Sequence, residues 1–517
     1  MSSRTRNFFI SGLVVTATSL IMRGTSVAFN IYVSSVAGAE AMGLFSLISS
    51  VYGFFITIAC SSINLGTTRL ISEALGEGKY KLLSNSIKVC IRHALITGLI
   101  ASLILYSFSG FIGSKLLYDE RCVISLKAIS FSLLPISLTS CLSGYFTAVR
   151  RVKVNAVFQI VAQALKIFAT AALLSKFLKF GAEYACLCLV LGSVISELVS
   201  LLVNIILYLA DRSKHLPAAL GENEKKPGGG IIRKICRITF PVTFSACIRS
   251  LFNTLQHILI PRGLKLSGSS WAAALSSYGI LHSMVLPLIL FPSAFIYSFA
   301  SLLIPEVSEC RVRGDSYRLK RITRRILSFA MFFAIGIAGI MLILSNEIGE
   351  VIYKNKEAAF YIKILAPLIP IMYIDGATDA ILKGMGKQIY SMNVNIADAA
   401  LSCVLVFFLV PRLGLYGYII SIYATEILNT TLSLIGMFSA TKTKPQVIHQ
   451  LLSPLLCITV TGIISNVILK NIHHPFPPTV ELCIHVILIC LIYLVTLLVS
   501  KTIGHEENEV IYYSFKK

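Results

Sequence analysis

Apolar runs of about 20 residues, separated by short polar segments, recur along the whole chain, and each is long enough to cross a bilayer as a helix. They predict about 14 spanning helices, over 8–33, 42–64, 91–113, 126–148, 155–178, 184–210, 236–260, 276–304, 326–346, 359–382, 392–411, 416–439, 450–470 and 480–500. No segment between them is large enough for a soluble domain. The expected fold is an all-α polytopic membrane protein, and an even number of spans puts both ends on one side.

Polar positions inside these runs are not scattered. Gly12, Thr16, Ser19, Arg23, Ser26, Asn30 and Ser34 recur at steps of three and four, and so share one side of helix 1. Helix 2 repeats the pattern with Ser46, Ser50, Gly53, Thr57, Ser61 and Asn64, and helix 7 with Ser245, Arg249, Asn253 and Gln256 or His257. Small and hydroxyl residues serve close helix packing. Arginines do not: Arg23 sits roughly 15–20 Å from either end of its helix while its side chain reaches about 6 Å, and exposure to lipid would cost about 2.5–3.5 kcal/mol. A water-filled cavity between two halves of the bundle accounts for both arginines. The competing account is structural ion pairing with Glu197 and Glu426, which also lie within spans. These carboxylates have three readings: neutralising the arginines, coordinating a coupling cation, or capping neighbouring helices.

The chain also matches itself. "GFIGSKLLYDERCVISLKAISFSLLPISL" aligns with "NEIGEVIYKNKEAAFYIKILAPLIPIMYI", setting Ile112-Gly113 against Ile348-Gly349, Tyr118 against Tyr353 and Pro135 against Pro370. The offset is about 235 residues. Further pairs keep nearly that offset, placing Glu197 opposite Glu426 and Arg23 opposite Arg249. Two six-helix lobes entering the membrane in the same direction, related by a pseudo-two-fold axis along its normal, are therefore expected, with a substrate site between them. The lobes span 1–210 and 236–440, a basic linker joins them at 211–235, and 441–517 adds helices 13 and 14 with a tail.

Composition narrows the class further. With 56% hydrophobic and 14% charged residues, the chain is too apolar for an ordinary soluble protein. Its net charge of +22 would suit nucleic acid, but about 31 of the 46 Lys and Arg fall in segments after even-numbered helices and in the termini, which is the signature of cytoplasmic loops. Both termini are expected in the cytoplasm, and no nucleic-acid partner is expected. "MSSRTRNFFISG" looks like the start of a signal peptide, yet the apolar run is too long and holds Arg23, so a retained anchor is expected. The 13 cysteines lack CxxC spacing and the nine histidines are dispersed, so neither a zinc site nor a disulfide framework is expected. Asp375, Asp379 and Lys383 stand at four-residue steps and predict an intrahelical ion pair. Pro241, Pro287, Pro292, Pro367 and Pro370 predict kinks. There is no nucleophile–base constellation, metal motif or phosphate-cradling glycine loop, so no enzyme activity and no cofactor are expected.

The segment "RGTSVAFNIYVSSVAGAEAMGLFSLISSVYGFF", followed by "LGTTRLISEALGEGK", resembles the start of the stage V sporulation protein B family, within the multidrug/oligosaccharidyl-lipid/polysaccharide exporter superfamily. The G-A-E-x-M-G-L turn and the S-E-A-x-G-x-G type of cytoplasmic segment carry the likeness. The resemblance implies a bacterial plasma-membrane flippase for an undecaprenyl-linked saccharide such as a lipid II-type precursor, working by alternating access. It further implies that Arg23 and Arg249 hold the diphosphate, with Ser26, Asn30, Asn253 and Gln256 contacting phosphate or sugar. Helix 2, which carries arginine in similar lipid II flippases, offers only Ser, Gly, Thr and Asn here. The alternative within the superfamily is a cation-coupled multidrug exporter, which favours carboxylates such as Glu197 and Glu426. A membrane scaffold without transport is a third reading, disfavoured by the polar stripes.

Overall fold

Inside an apolar run every backbone N–H and C=O must find its partner within the run, which a helix allows. The structure, a computed structural model, describes residues 3–61, 63–76, 80–149, 151–215, 230–443, 446, 448–471 and 477–500. Most of the expected linker, the His473-His474 pair and the tail beyond residue 500 lie outside the described residues. Among the described residues all regular structure is helical.

The chain begins with α1 (Ser3–Cys60), α2 (Ile63–Gly76), α3 (Tyr80–Phe111), α4 (Cys122–Ser130), α5 (Leu133–Ala148), α6 (Val152–Phe177), α7 (Ala182–His215), α8 (Gly230–Leu266) and α9 (Trp271–Gly279). It continues with α10 (Leu286–Leu290), α11 (Ser293–Arg313), α12 (Ser316–Ile343), α13 (Ser345–Glu347), α14 (Lys356–Leu365) and α15 (Ile369–Gly384). It closes with α16 (Gln388–Leu413), α17 (Leu415–Thr441), α18 (Ser453–Asn471) and α19 (Pro478–Val499).

Twelve helices among the described residues are long and apolar enough to cross a membrane. This differs from the expected count in two places. Leu20–Gly76 forms one apolar stretch of 57 residues, nearly three times the roughly 20 that a crossing needs, and takes in the second half of the expected helix 1 and all of helix 2. It is interrupted at Gly38, whose φ of 81° and ψ of 167° lie outside the helical region and suit glycine. The expected helix 7 is present inside α8 but is not among the twelve. Its stripe of Ser245, Arg249, Asn253 and Gln256 dilutes its apolar character.

Most of the prolines mark boundaries rather than kinks. Pro287 and Pro370 sit in the first turns of α10 and α15, Pro292 caps α11, and Pro367 lies in a single tight turn over Ala366–Leu368. A missing N–H costs nothing in a first turn. Pro305 does lie inside α11.

By packing, the chain divides into two compact units. The first is Met1–Gly279 with Ala399–Tyr418, the second Ile280–Asp398 with Ile419–Lys517. Arg23 and Arg249, expected one from each lobe, both fall in the first unit because α8 packs on α1. Within that unit α6 packs on α7, α2 and α3 pack on α5, and α1 packs on α8 and α9. The α1–α9 approach is so close that a Cβ on Gly43 would overlap the Leu275 carbonyl, and one on Gly279 the Ala39 carbonyl. Gly43 is the second glycine of the G-A-E-x-M-G-L turn. In the second unit α15 packs on α11 and α12, and α18 on α12 and α19.

One local arrangement occurs in each unit. In the first, a π-helical turn over Ile112–Leu116 precedes Tyr118 at φ 57°. In the second, a π-helical turn over Ile348–Ile352 precedes Lys354 at φ 50°. The Asp119 N–H donates to the Gly113 carbonyl, and the Asn355 N–H to the Gly349 carbonyl, each at 3.0 Å. In this register buried Leu117 corresponds to buried Tyr353, and Tyr118 to Lys354. The sequence pairing of Tyr118 with Tyr353 is therefore shifted by one residue.

Candidate functional site

Polar residues on α5, α6 and α7 recur at steps of three and four, and in the first unit these stripes line an open cavity of about 410 Å³. From α5 come Thr139, Ser140 and Ser143, from α6 Gln159, Gln163 and Lys166, and from α7 Ser196, Glu197, Ser200 and Asn204. Asn64 of α2 and Met22 of α1 complete the wall, with Ile136, Phe158 and Ala162 as its apolar part. Several of these side chains are held in place. Asn64 Nδ2 donates to the Ser140 carbonyl at 3.4 Å, Ser196 Oγ to the Ala162 carbonyl at 2.7 Å, and Asn204 Nδ2 to the Ser200 carbonyl at 2.9 Å.

Lys166 and Glu197 face the same space. Each acts electrostatically on the other, yet no direct ion pair joins them among the described residues. The cavity therefore carries one charge of each sign and no net charge. Glu197 has Lys166 as its charged neighbour, in place of the arginines that the sequence suggested.

The other expected site residues are distributed as follows. Ser26 donates to the Met22 carbonyl at 2.8 Å and accepts from Gln163 Nε2 at 3.1 Å, which ties the α1 stripe to the cavity wall. Arg23 follows Met22 directly and is exposed, and Asn30 lies one turn beyond Ser26, half-buried. On α8, Arg249 and Asn253 are exposed and Gln256 is half-buried. α8 meets α1 through Thr254 Oγ1 to the Ser50 carbonyl at 3.0 Å, Thr57 Oγ1 to Ser250 Oγ at 3.3 Å, and Thr243 Oγ1 to the Ser61 carbonyl at 3.2 Å. All three contacts lie beyond Gly38, whereas Arg23 precedes it. Arg249 makes no hydrogen bond or ion pair among the described residues.

Glu426 belongs to the second unit and feels Asp398 and Asp375. Asp375 accepts from Asn429 Nδ2 at 3.1 Å. The expected intrahelical pair forms only between Asp379 and Lys383, at 2.8 Å. No group of three His, Cys, Asp or Glu side chains suited to a metal ion occurs among the described residues.

Sequence reasoning found the stripes on helices 1, 2 and 7 but not the matching ones on α5, α6 and α7. The signal was present: Gln159, Gln163 and Lys166, and Ser196, Glu197, Ser200 and Asn204, have the same spacing. No arginine drew attention to them.

The family described as polysaccharide biosynthesis protein matches residues 5–311, and the MatE family matches 265–408. Stage V sporulation protein B of Bacillus subtilis (strain 168) is 25% identical over 510 residues, covering 96% of this chain and 96% of that protein. Lipid II flippase MurJ of the same organism is 22% identical over 417 residues, covering 76% and 75%. Among solved structures, lipid II flippase MurJ in an inward closed conformation superposes with a TM-score of 0.68 at 13% identity, over 98% of this chain and 100% of that one. An inward-facing multidrug resistance MATE family transporter of the MOP superfamily superposes with a TM-score of 0.64 at 14% identity, over 83% and 97%. At these identities the structural likeness shows the fold.

Proposed function

We propose a function from the premise that the chain belongs to the polysaccharide biosynthesis protein family, a branch of the multidrug/oligosaccharidyl-lipid/polysaccharide exporter superfamily. The protein moves a lipid-linked saccharide precursor across a bacterial plasma membrane. Two relatives that match it along most of their length support this, one of them named as a lipid II flippase. The work is translocation: a polar, anionic headgroup is sheltered from hydrocarbon while its lipid tail stays among the chains of the bilayer.

The observation that carries the anionic part of this reading is Arg249. A guanidinium midway along the expected seventh span, exposed and without a protein counter-charge among the described residues, needs water or an anion near it. Its planar fork of donors suits the oxygens of a diphosphate. Arg23 supplies the second guanidinium, and Ser26, Asn30, Asn253 and Gln256 supply neutral donors and acceptors around it. Two lobes built on the internal repeat, with cytoplasmic termini, would rock so that the headgroup is exposed to one side and then the other.

A second reading has its own support. The carboxylates of Glu426, Asp398 and Asp375 lie within electrostatic reach of one another in the second unit, which favours a coupling cation and, in its strongest form, a cation-coupled multidrug exporter. Proteoliposomes separate the two. With fluorescent lipid II and a cationic dye offered in parallel, Arg249→Ala and Arg23→Ala should each lower lipid turnover by about tenfold or more, the loss of one charged hydrogen-bonded contact, and leave dye movement unchanged. Dye efflux that falls while lipid turnover persists would replace the first reading with the second.

A further inference from the structure

We propose that the cavity in the first unit is a headgroup subsite for an uncharged glycosyl group rich in hydroxyls, adjoining the residues that meet the diphosphate. The inference rests on the flippase reading for its biological setting, but not for the binding itself.

Size sets the first limit. A space of about 410 Å³ corresponds to roughly 14 waters at the liquid value of ~30 Å³ each, and lies near the lower end of the ~300–1,000 Å³ typical of small-ligand sites. One or two sugar rings fit; a whole lipid-linked oligosaccharide does not. Charge sets the second. Lys166 and Glu197 cancel, so a diphosphate attracted by one would be repelled by the other, while a neutral guest meets neither penalty.

Hydrogen-bonding capacity then selects the chemistry. Asn64, Gln163 and Asn204 each commit an N–H to Ser140, Ser26 and Ser200, respectively. Their carbonyl oxygens have no donor among the described residues. Glu197 adds a carboxylate acceptor. Polar groups in such a position are costly unless water or a ligand satisfies them. Lys166, Gln159 and the second N–H of each amide add donors to these acceptors, and a wall that offers both favours a neutral guest with many hydroxyl groups, such as a hexose or hexosamine ring. Phe158 and Ile136 offer apolar surface for a ring face.

The test is direct binding of methyl N-acetyl-β-glucosaminide to the full chain in detergent, read by saturation-transfer NMR and titration. A Kd of about 1 mM is expected for so small a probe. Gln163→Leu and Glu197→Gln should each weaken it about tenfold, as should Gln159→Leu, whose side chain is exposed and lines the same space. Val312→Ala, at an exposed position outside the cavity, should leave it unchanged. Absence of saturable binding, binding indifferent to all three cavity variants, or tighter binding of glucosamine 6-phosphate than of the neutral glycoside would overturn the subsite. Failure of the flippase reading looks different: the glycoside binds and responds to the cavity variants, yet lipid II does not cross the membrane in proteoliposomes.

Discussion

At the scale of single residues, a compact group of charges outside the spans shows how local chemistry holds the first unit at one end. Arg121 Nη2 and Nε donate to Asp119 at 2.8 and 3.0 Å, Arg121 Nη1 reaches Glu40 at 2.8 Å, and Trp271 Nε1 donates to Asp119 Oδ2 at 2.8 Å. Arg262 covers the Tyr118 ring at 4.7 Å. One loop thus connects α1, the end of α8 and the start of α9. Burial pushes the Asp119 carboxyl up, but the hydrogen bonds from Arg121 and Trp271, with the guanidinium charge, outweigh it and hold the group below the ordinary range. Because the folded value lies below the unfolded one of about 3.9, the stabilisation is complete above about pH 4 and is lost as pH falls through the folded value. Trp271 is the only tryptophan in the chain, so its fluorescence reports this titration. An acid midpoint below about 3.9 is expected for the native protein, with no such step in Asp119→Asn, which should also lose about 1–3 kcal/mol of stability. A midpoint above the ordinary carboxylate value would show that the contacts do not hold the charged form.

At the scale of elements, glycine positions separate packing from mere composition. Gly43 faces the α9 backbone at a distance that leaves no room for a methyl group, whereas a Cβ on Gly53, ten residues on in the same helix, would meet open space. Gly43→Ala should therefore destabilise by about 1–3 kcal/mol as the helices are forced apart. Gly53→Ala should be neutral or stabilising by roughly 0.5–1 kcal/mol, because alanine restricts the unfolded chain and suits a helix. Thermal unfolding of the two variants side by side decides this, and equal effects would contradict the α1–α9 contact. At the other end of the unit, Tyr145 donates to Asp211 at 2.7 Å and Arg151 pairs with the same carboxylate, which joins α5, the start of α6 and α7. Asp211→Asn should loosen all three elements together, seen as loss of hydrogen-exchange protection in each. Periodicity in the sequence places α5, α6 and α7 but does not reveal that one carboxylate serves them all.

At the scale of the whole molecule, the distribution of Lys and Arg makes a claim about topology that labelling can check. In a chain freed of its native cysteines, Glu120→Cys, in the loop between α3 and α4, should react with a membrane-impermeant maleimide from outside. Val312→Cys, which is 84% exposed near the end of α11, should react only after the membrane is opened. The reverse pattern would invert the orientation, and labelling of both from one side would remove a crossing from the count.

The sequence by itself determined the class of protein, the position of nearly every helix, the absence of any large soluble segment and the family. These follow from run length, hydropathy and local spacing, all properties of neighbouring residues. It also exposed the stripe on α8, where each polar residue stands out against apolar neighbours. Only the tertiary structure decided which stripes meet. The approach of Lys166 to Glu197, the grouping of α8 and α9 with the first unit, the one-residue shift between Tyr118 and Tyr353, and the lining of one cavity by α5, α6 and α7 all depend on contacts between residues far apart in the chain. A periodicity reports which side of a helix is polar but carries no information on what that side faces, and the chemistry of the cavity lies in that missing term.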